Sequence, residues 1–479
     1  MKRIENYLGG RFVAPASKTY LDDVCPATGK PYAQIPDSDE RDVNAAIEAA
    51  RQALPVWSGL SAERRSSYLR SIAHEIVSQA DALARAESMD SGKPVSLASS
   101  VDIPRSALNF RFFADAITQF SSEAHSSDDA ALNYTLRRPL GVVACISPWN
   151  LPLYLLSWKV APAMAMGNCV VAKPSEITPM TAHLLSKICA KVGLPPGVLN
   201  IVHGFGPKAG SALVRHPAVA AISFTGSTKV GGEIARSAAG AFKKVSLEMG
   251  GKNPNLIFAD CDFDEAVAGS VRAAFSNQGQ ICLCGSRILI ERKMYERFKK
   301  AFVAKAKALR VGDPSKAVDQ GALSSAGHFE KVRGYVELAK REGGKILCGG
   351  APASVHGRCQ GGWFFRPTVI EGLPNESRVN QEEIFGPVAT LIPFKDETEA
   401  VRLANGTRYG LAATLWTKDV KRAHRVSARL EAGIVWVNCW MLRDLRTPFG
   451  GVKDSGVGRE GGLEALRFFS ESKNVCVKL

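Results

Sequence analysis

Hydrophobic positions change their spacing several times along the chain, and each change predicts a different kind of element. Apolar residues recur every three or four positions over 42–54, 62–79 and 81–91, which predicts amphipathic helices packed on a surface. Two short runs before them, 5–12 and 19–24, alternate as strands do. Nothing in this part of the chain indicates chemistry.

From residue 140 to residue 250, strand patterns and helix patterns take turns. Strands are predicted at 141–146, 169–173, 198–202, 219–224 and 244–247, with helices over 152–166, 179–192 and 229–238. A second alternating region begins after Gly251, with a strand at 287–290 and helices over 293–308 and 326–342. This alternation is typical of parallel sheets covered by helices, so the predicted fold class is α/β. Such sheets bind ligands at the carboxyl ends of their strands.

Two further segments read as exposed strands. Residues 132–138 and 475–479 alternate polar and apolar side chains, and both are short. An exposed strand has free backbone groups that favour pairing with another strand. We therefore expect each segment to find a partner.

One cysteine lies in a polar stretch between two apolar segments. Cys282 follows Ser-Asn-Gln-Gly-Gln-Ile and precedes Leu-Cys-Gly-Ser. A thiol attacks a carbonyl carbon as the thiolate and must be reachable, so a loop cysteine beside backbone N–H groups is a candidate nucleophile. A single free cysteine is more often a buried structural residue. A second motif is needed to favour catalysis.

That motif lies upstream, in Val-Ser-Leu-Glu248-Met-Gly-Gly-Lys-Asn-Pro. A carboxylate among apolar neighbours has its pKa raised toward the range in which it takes a proton from water. Alone, Glu248 would more often be a hydrogen-bonded structural acid. The two motifs together resemble the glutamate and cysteine signatures of the aldehyde dehydrogenase superfamily, and the resemblance covers essentially the whole chain.

The resemblance implies the aldehyde dehydrogenase fold, with NAD as cofactor and a homodimer or homotetramer as the assembly. It implies a Rossmann-like NAD-binding domain, an α/β catalytic domain and a small β oligomerisation part. The corresponding boundaries are 1–118 with 139–250, then 251–449, and finally 119–138 with 450–479. In the family the last two segments build a small sheet that reaches into a neighbouring subunit.

The resemblance also assigns the cofactor site. The matching residues are Trp149, Lys173, Ser175, Glu176, Gly226, Ser227, Gly250, Glu383 and Phe385. In the family the lysine and first glutamate bind the adenosine ribose, the Gly-Ser pair touches the phosphates, and the second glutamate and the phenylalanine hold the nicotinamide ribose and ring. A carboxylate at the adenosine ribose favours NAD over NADP. The alternative for Ser175 and Glu176 is a helix cap and a first-turn acid.

Asn150 lies between Pro148 and Pro152, where a regular helix is disfavoured. A fixed side-chain amide is a good oxyanion donor. In the family the matching asparagine acts with the backbone N–H of the nucleophilic cysteine. The alternative is a turn asparagine that satisfies its own backbone.

The reaction implied by the resemblance is oxidation of an aldehyde to a carboxylate without a metal. Cys282 adds to the carbonyl, hydride leaves for the nicotinamide, and water activated by Glu248 hydrolyses the thioester. Two alternatives remain: an acylating relative that uses coenzyme A, and a catalytically silent protein of this fold that only binds. Retention of Glu248 favours hydrolysis over the first, and three intact catalytic groups argue against the second.

Composition, charge and cysteine usage narrow the class of protein, its compartment and the charge of its substrate. The chain has 479 residues, of which 46% are hydrophobic and 22% charged, as in a soluble enzyme of two or three domains. Eleven scattered cysteines indicate a reducing, cytoplasmic compartment. The uncharged run 140–158 is interrupted by prolines, so we expect no membrane span, and no signal peptide is evident. The net charge of +15 is spread and accompanies no nucleic-acid motif, which favours a small acidic substrate.

Two arginines lie where the family's aldehyde tunnel is usually apolar, Arg105 and Arg443. Salt bridges to the adjacent Asp102 and Asp444 are one interpretation. The other is a clamp on a substrate carboxylate, because guanidinium groups bind carboxylates through charge-assisted hydrogen bonds. The remaining residues expected to line the substrate site are Tyr154, Trp158, Leu283 and Phe449.

The segments around these arginines resemble the branch of the family that oxidises carboxylate-bearing semialdehydes from aromatic-ring breakdown. We therefore expect a small aldehyde with a carboxylate as the substrate. The resemblance is greatest to members that act on 2-aminomuconic 6-semialdehyde, with those acting on 2-hydroxymuconic semialdehyde close behind, and residue chemistry alone does not separate the two. A broader specificity, for example toward retinal, is a further alternative.

Overall fold

A computed structural model describes residues 2–479. Its first large sheet has eight strands, and the five central ones are parallel. In order across the sheet they are Gly456–Val457, Lys244–Glu248, Val219–Thr225, Val142–Ile146, Cys169–Lys173, Leu199–Ile201, Asn6–Leu8 and Arg11–Val13. In the register of the parallel strands Thr225 lies opposite Glu248, and Ile146 lies opposite Lys173. The polar residues that follow these strands therefore meet at one edge.

The run 5–12, expected to be one strand, is instead a tight hairpin of two strands. The reason is Gly9-Gly10, which takes positive φ values of 55° and 79° that other residues rarely adopt.

Helices cover the first sheet much as the apolar spacing predicts. They are Glu40–Ser58, Ala62–Ser78, Ala80–Ser91, Val95–Leu97, Ile103–Thr118, Pro152–Ala165, Met180–Lys191, Ser211–Arg215, Thr228–Ala239 and Gly462–Phe468. The helix Pro152–Ala165 is buried along its whole length, which explains its almost continuous apolar sequence. A capping box between Asp39 and Asp42 starts the first helix.

The second large sheet has seven strands. Across the sheet they are Lys345–Cys348, Thr368–Glu371, Val388–Phe394, Arg287–Glu291, Pro254–Ile257, Ala412–Trp416 and Ile434–Val437. Its helices are Phe263–Phe275, Tyr295–Ala308, Ala326–Arg341, Arg378–Gln381, Glu397–Asn405 and Val420–Ser427. Two separate apolar cores, one on each face, hold this sheet between its helices.

Three small sheets complete the fold. The C-terminal strand Ser470–Lys478 pairs antiparallel with Ala131–Pro139, which pairs with Ala124–Ser127. The two segments expected to be exposed strands are thus each other's partners. The other small sheets are formed by Lys2–Arg3, Lys30–Pro36 and Tyr20–Cys25, and by Tyr409–Gly410 with Val452–Lys453. The domain boundaries remain a prediction. In residues 2–479 no helix is both long and apolar enough to cross a membrane.

Candidate active site

The loop that carries Cys282 is a strained turn at the end of the helix Phe263–Phe275. Asn277 and Gln278 have left-handed backbone angles, with φ of 52° and 56°. Such conformations cost about 1 to 3 kcal/mol each in a residue with a side chain, and they persist where the surroundings fix them. Here the Asn277 amide donates to the carbonyl of Asn150 at 3.1 Å, and the Gln278 amide donates to that of Ala322 at 3.0 Å.

Cys282 itself is half-buried, and of its two backbone polar groups the carbonyl alone is hydrogen-bonded within residues 2–479. Its carbonyl accepts a hydrogen bond of 2.7 Å from Asn253 Nδ2, while its own N–H has no acceptor among residues 2–479. Burial raises the pKa of the thiol well above its usual range, and the carboxylates of Glu383 and Glu248 raise it further. The resting side chain is therefore a thiol that needs a base to become the nucleophile.

Asn150 reaches this loop from the first sheet. Its side-chain amide donates to the Gln280 carbonyl at 2.9 Å, and the residue is only 4% exposed. It does not satisfy its own turn, because the partner lies 130 positions away in the chain. An amide nitrogen carries two hydrogens, so one remains for a ligand after the bond to Gln280 is made.

Glu248 is the last residue of a strand in the first sheet, and it is 3% exposed. Neither carboxylate oxygen has a hydrogen-bond partner. Burial, reinforced by the charge of Glu460, raises the pKa of Glu248 well above its ordinary value. Gly450 leaves room for this side chain, since a Cβ there would lie 2.6 Å from Glu248 Oε1. The interpretation as a hydrogen-bonded structural acid does not hold.

A second buried carboxylate, Glu460, lies close enough to Glu248 for its charge to act on it, although the sequence analysis assigned it no role. Glu460 Oε1 accepts from Lys159 Nζ at 2.6 Å and from the Ser223 hydroxyl at 3.1 Å. Its other oxygen has no partner. The charge of Lys159 partly offsets that of Glu460, which still raises the pKa of Glu248.

A cleft of ≈660 Å³ opens where three strands of the first sheet end. It is lined by the predicted cofactor residues Trp149, Lys173, Ser175, Glu176, Gly226 and Ser227, among others. Lys173 and Glu176 form an ion pair of 2.9 Å. The following helix begins at Met180, so Ser175 and Glu176 are neither its cap nor its first-turn acid.

The cleft suits a dinucleotide. Ser227 caps the helix Thr228–Ala239 by accepting from Val230 N at 3.3 Å, and the first N–H groups of that helix point toward ligands placed at its start. The buried hydroxyl of Thr225 lines the cleft and has no partner. Free donors and an unpaired hydroxyl at a strand end fit a pyrophosphate, and Lys173 with Glu176 fits a ribose diol.

Two further predicted cofactor residues lie near those already described: Glu383 approaches Gly250, and Phe385 contacts Trp149. Glu383 Oε1 accepts from the backbone of Gly251 at 3.0 Å, and a Cβ at Gly250 would lie 2.1 Å from Glu383 Oε2. Only glycine permits this close approach. Phe385 contacts Trp149 edge-on, with ring centroids 5.3 Å apart.

His328, which the sequence did not single out, completes this aromatic group. Its ring lies 4.9 Å from that of Trp149, and its Nε2 is 2.6 Å from the Phe385 carbonyl. Burial lowers the pKa of His328 to about 4. The imidazole is therefore neutral near pH 7 and can donate to that carbonyl.

Arg105 and Arg443 lie side by side over one aromatic ring. Their guanidinium carbons are 5.5 and 5.6 Å from the Trp158 ring centroid. Burial, with the charge of Arg443 adding to it, lowers the pKa of Arg105. One terminal nitrogen of Arg105 is buried without a hydrogen-bond partner.

The expected salt bridges are absent from residues 2–479. Asp102 pairs with Lys93 at 2.7 Å, and Asp444 pairs with Arg446 at 2.6 Å. The hydrogen-bond partners of the two arginines are instead neutral: Arg105 Nε donates to Asn109 Oδ1 at 3.2 Å, and Arg443 donates to the Tyr154 hydroxyl at 3.0 Å.

The arginine pair connects to the thiol through Phe449. Arg443 lies 4.1 Å from the Phe449 ring centroid, and Phe449 packs in one apolar cluster with Leu283 and the partly buried Cys282. The charge of Arg443 lowers the pKa of both Cys282 and Glu248, although burial outweighs it. The substrate residues expected from the sequence thus form one continuous group with the nucleophile.

This arrangement combines an α/β fold with a half-buried thiol, an unpaired buried carboxylate and a dinucleotide-sized cleft. The aldehyde dehydrogenase family model matches residues 12–475, so the chain belongs to the aldehyde dehydrogenase family. The predicted fold class and the family resemblance are confirmed.

Similar proteins cover the chain from end to end. The 2-aminomuconic semialdehyde dehydrogenase of Danio rerio is 50% identical over 479 residues, covering 99% of this chain and 98% of the relative. The 2-hydroxymuconic semialdehyde dehydrogenase of Pseudomonas sp. (strain CF600) is 48% identical over 486 residues, covering 100% of each. A solved NAD+ complex of an aldehyde dehydrogenase from Bacillus cereus superposes with a TM-score of 0.97 at 37% identity, covering 100% of this chain and 97% of that one.

Proposed function

We propose that this enzyme oxidises a carboxylate-bearing semialdehyde, 2-aminomuconic 6-semialdehyde, to the dicarboxylate with NAD+ as the acceptor. The overall reaction takes the aldehyde, NAD+ and water to the carboxylate, NADH and protons. The observation that carries the substrate class is the pair Arg105 and Arg443, which share the Trp158 ring and form no salt bridge with a carboxylate in residues 2–479.

The thiol of Cys282 forms the covalent bond to the substrate. Deprotonated, it adds to the aldehyde carbon and gives a thiohemiacetal whose oxygen accepts from the remaining Asn150 N–H and from the free Cys282 N–H. That carbon then loses a hydride, for which bound NAD+ would supply the acceptor. The product on Cys282 is a thioester.

Glu248 hydrolyses the thioester by taking a proton from water. Its two oxygens have no protein partner, so both can accept a hydrogen bond from a water molecule. Burial keeps its pKa high, which makes it a stronger base than an exposed glutamate once it is ionised. Hydroxide adds to the thioester carbon, the carbon–sulfur bond breaks, and the Cys282 thiolate leaves.

NAD+ would be held by the residues that surround the cleft. Lys173 and Glu176 are suited to the adenosine ribose, Gly226 and Ser227 to the phosphates, and Glu383 to the nicotinamide ribose. Trp149 and Phe385, already in edge-on contact, would shape the nicotinamide end. The NAD+-bound solved relative supports this assignment.

The arginines would bind the carboxylate at the far end of the substrate. A guanidinium in a partly buried site costs free energy unless it is paired, and hydrogen bonds to charged groups each contribute roughly 1.5 to 3 kcal/mol. Trp158 and Phe449 supply ring faces that hold the cations in place without neutralising them. Relatives named for muconic semialdehydes support a substrate of this kind.

Two alternatives belong to the same site. The 2-hydroxymuconic semialdehyde differs from the amino compound by one small polar group, and a relative at 48% identity is named for it. A broader specificity toward neutral aldehydes, retinal among them, would leave the arginines without an anion to bind.

We also propose that the sheet of Ala124–Ser127, Ala131–Pro139 and Ser470–Lys478 bridges to a neighbouring subunit in a homodimer or homotetramer. Its outer strand Ser470–Lys478 is largely exposed and has one free edge, which supports pairing with another chain. All eleven cysteines are free of disulfide bonds, which supports a reducing, cytoplasmic location.

The test compares substrates directly. NADH formation is followed with 2-aminomuconic and 2-hydroxymuconic 6-semialdehydes and with a neutral aldehyde of similar size. We expect kcat/KM for the carboxylated substrates to exceed that for the neutral aldehyde by about ten- to a hundredfold or more. Equal values would contradict the carboxylate preference while leaving aldehyde oxidation intact.

A further inference from the structure

A fully buried lysine lies directly behind Asn150. Lys93 is 0% exposed, and its ammonium group donates to Asp102 Oδ2 at 2.7 Å and to the backbone carbonyl of Asn150 at 3.0 Å. Glu87 lies 3.8 Å away on another side. None of these three residues contacts the cofactor cleft or the arginine pair, so the reaction described above does not use them.

The Asn150 carbonyl is held by a second donor as well. Asn277 Nδ2 lies 3.1 Å from the same oxygen and 3.2 Å from the Gln280 carbonyl, which also accepts from the Asn150 side chain. A carbonyl oxygen has two lone pairs, so Lys93 and Asn277 together satisfy it. The main chain and the side chain of Asn150 are thus fixed by different partners.

Lys93 is itself placed by a constrained turn. Gly92 ends the helix Ala80–Ser91 with a φ of 75°, and a Cβ there would lie 2.8 Å from the Ala322 carbonyl. That same carbonyl accepts from Gln278 in the Cys282 loop. On its other side Lys93 binds Asp102, which ends a π-helical turn just before the helix that carries Arg105.

Burial of this charge group is expensive, and protein folding alone does not require it. A buried ion pair is often no more stabilising than apolar residues of the same size. A bond from an ammonium to a carbonyl is stronger than one between neutral groups, so it fixes the position of the carbonyl more tightly. Positional accuracy of this kind matters at an oxyanion donor, where a displacement of about 1 Å costs about a hundredfold in rate.

We propose that Lys93 is a positioning residue, which acts through the Asn150 backbone to aim the free side-chain N–H of Asn150 at the oxyanion. Asp102 holds Lys93 in place. The inference rests on the proposed role of Asn150 and adds a group that acts one contact away from the substrate.

The test is a double-mutant cycle on the rate of the first NADH burst, with Lys93→Met, Asn150→Ala and the combination. We expect Lys93→Met to slow the burst about ten- to a hundredfold while the KM for aldehyde changes less than about twofold. If Lys93 acts through Asn150, the combined variant is no slower than Asn150→Ala alone. Multiplying losses would overturn the proposal.

A second variant separates positioning from folding. Lys93→Met leaves Asp102 buried without its cation, so the melting temperature of that variant should fall. Lys93→Met/Asp102→Leu removes both charges and should recover most of the lost stability. Its burst should stay slow, because the Asn150 carbonyl still lacks its donor. A burst that returns to the wild-type rate would overturn the proposal and make the pair purely structural.

A matched control comes from another buried lysine on backbone carbonyls. Lys243 donates to the carbonyls of Val214 and His216 at 2.8 and 2.7 Å. Lys243→Met should lower the melting temperature without slowing the burst. A wild-type burst in Asn150→Ala would instead refute the proposed role of Asn150, and this inference with it. A slow Asn150→Ala with a wild-type Lys93→Met would refute only the inference.

Discussion

The two ends of the candidate site contain ionisable groups of opposite charge type, and at neither end do these groups form a salt bridge within residues 2–479. At the reaction end, formed by Cys282, Glu248 and Asn150, the buried carboxylate of Glu248 has no hydrogen-bond partner. At the arginine end, formed by Arg105 and Arg443, two cations lie over the Trp158 ring, and neither forms a salt bridge within residues 2–479. The first end suits a water molecule that will lose a proton, and the second suits an anion.

Lys93, by comparison, is a buried cation that the protein pairs with a buried carboxylate. Its ammonium group meets Asp102 at 2.7 Å and is sealed from solvent. Arg105, in contrast, keeps one terminal nitrogen unpaired. A charged group that forms an ion pair within the protein is suited to holding its neighbours in position. A charged group without such a partner is suited to binding a charged ligand. The comparison predicts that changes at the reaction end affect every aldehyde, while changes at the arginine end affect only acidic ones.

The largest effect is expected from Cys282→Ala. Removing a covalent nucleophile lowers kcat by on the order of 10⁶-fold, and here it should do so for carboxylated and neutral aldehydes alike. NADH production by the purified variant is the measurement, with circular dichroism to verify the fold. Cys284→Ala, in the same loop, is the control and should keep most of the activity. More than a trace of activity in Cys282→Ala would show that another group is the nucleophile.

Glu248→Gln should come next. General base catalysis contributes typically 10²- to 10⁴-fold, so steady turnover should fall by about that factor on both substrate classes. One burst of NADH per active site should remain, because only hydrolysis of the thioester lacks its base. Rapid-mixing kinetics measure the burst amplitude. If the burst disappears, Glu248 acts at an earlier step, such as deprotonation of the Cys282 thiol.

Arg105→Ala and Arg443→Ala should separate the two ends. Each should lower kcat/KM for a carboxylated semialdehyde about ten- to a hundredfold, with little change for a neutral aldehyde of similar size. Arg446→Ala is the control, because that arginine is already paired with Asp444 and is exposed. Equal losses on both substrates would show that the arginines are structural.

The smallest effect concerns pH. Burial raises the pKa of both Cys282 and Glu248, and both groups must lose a proton to act. A raised pKa moves deprotonation to higher pH. Because kcat/KM covers the steps up to thioester formation, which need the Cys282 thiolate but not Glu248, it should rise by about tenfold per pH unit from the acid side through neutrality. The slope should be the same for acidic and neutral aldehydes, because guanidinium groups stay charged over this range. A profile that is flat above pH 5 would mean that the raised pKa of Cys282 does not govern these steps.

Much of the fold follows from local patterns. The helix predicted over 62–79 is Ala62–Ser78, and the strand predicted at 169–173 is Cys169–Lys173. Periodic apolar positions in long segments are a strong signal because each element must bury one face. The run 5–12 was predicted wrongly as one strand, since its alternation concealed a turn at Gly9-Gly10.

The residues of the candidate site likewise fall into two groups, those that the sequence indicated and those that only the structure identified. Cys282, Glu248 and Asn150 each occur in a distinctive short motif, so the sequence pointed to them. The sequence analysis assigned no role to Lys93, Asn277 or Glu460, because their importance comes from partners more than fifty positions away, such as Asn150 for Lys93 and Lys159 for Glu460.

The sequence by itself determined the family and the two alternating halves, and it pointed to the candidate reacting groups, because those properties depend on residue type and local spacing. Only the tertiary structure decided which charged groups form ion pairs with one another. Asp102 and Asp444 are next to the arginines in the chain, yet they pair with Lys93 and Arg446. Ion pairing depends on distance and burial in three dimensions, and a helix can turn neighbours in sequence toward different partners.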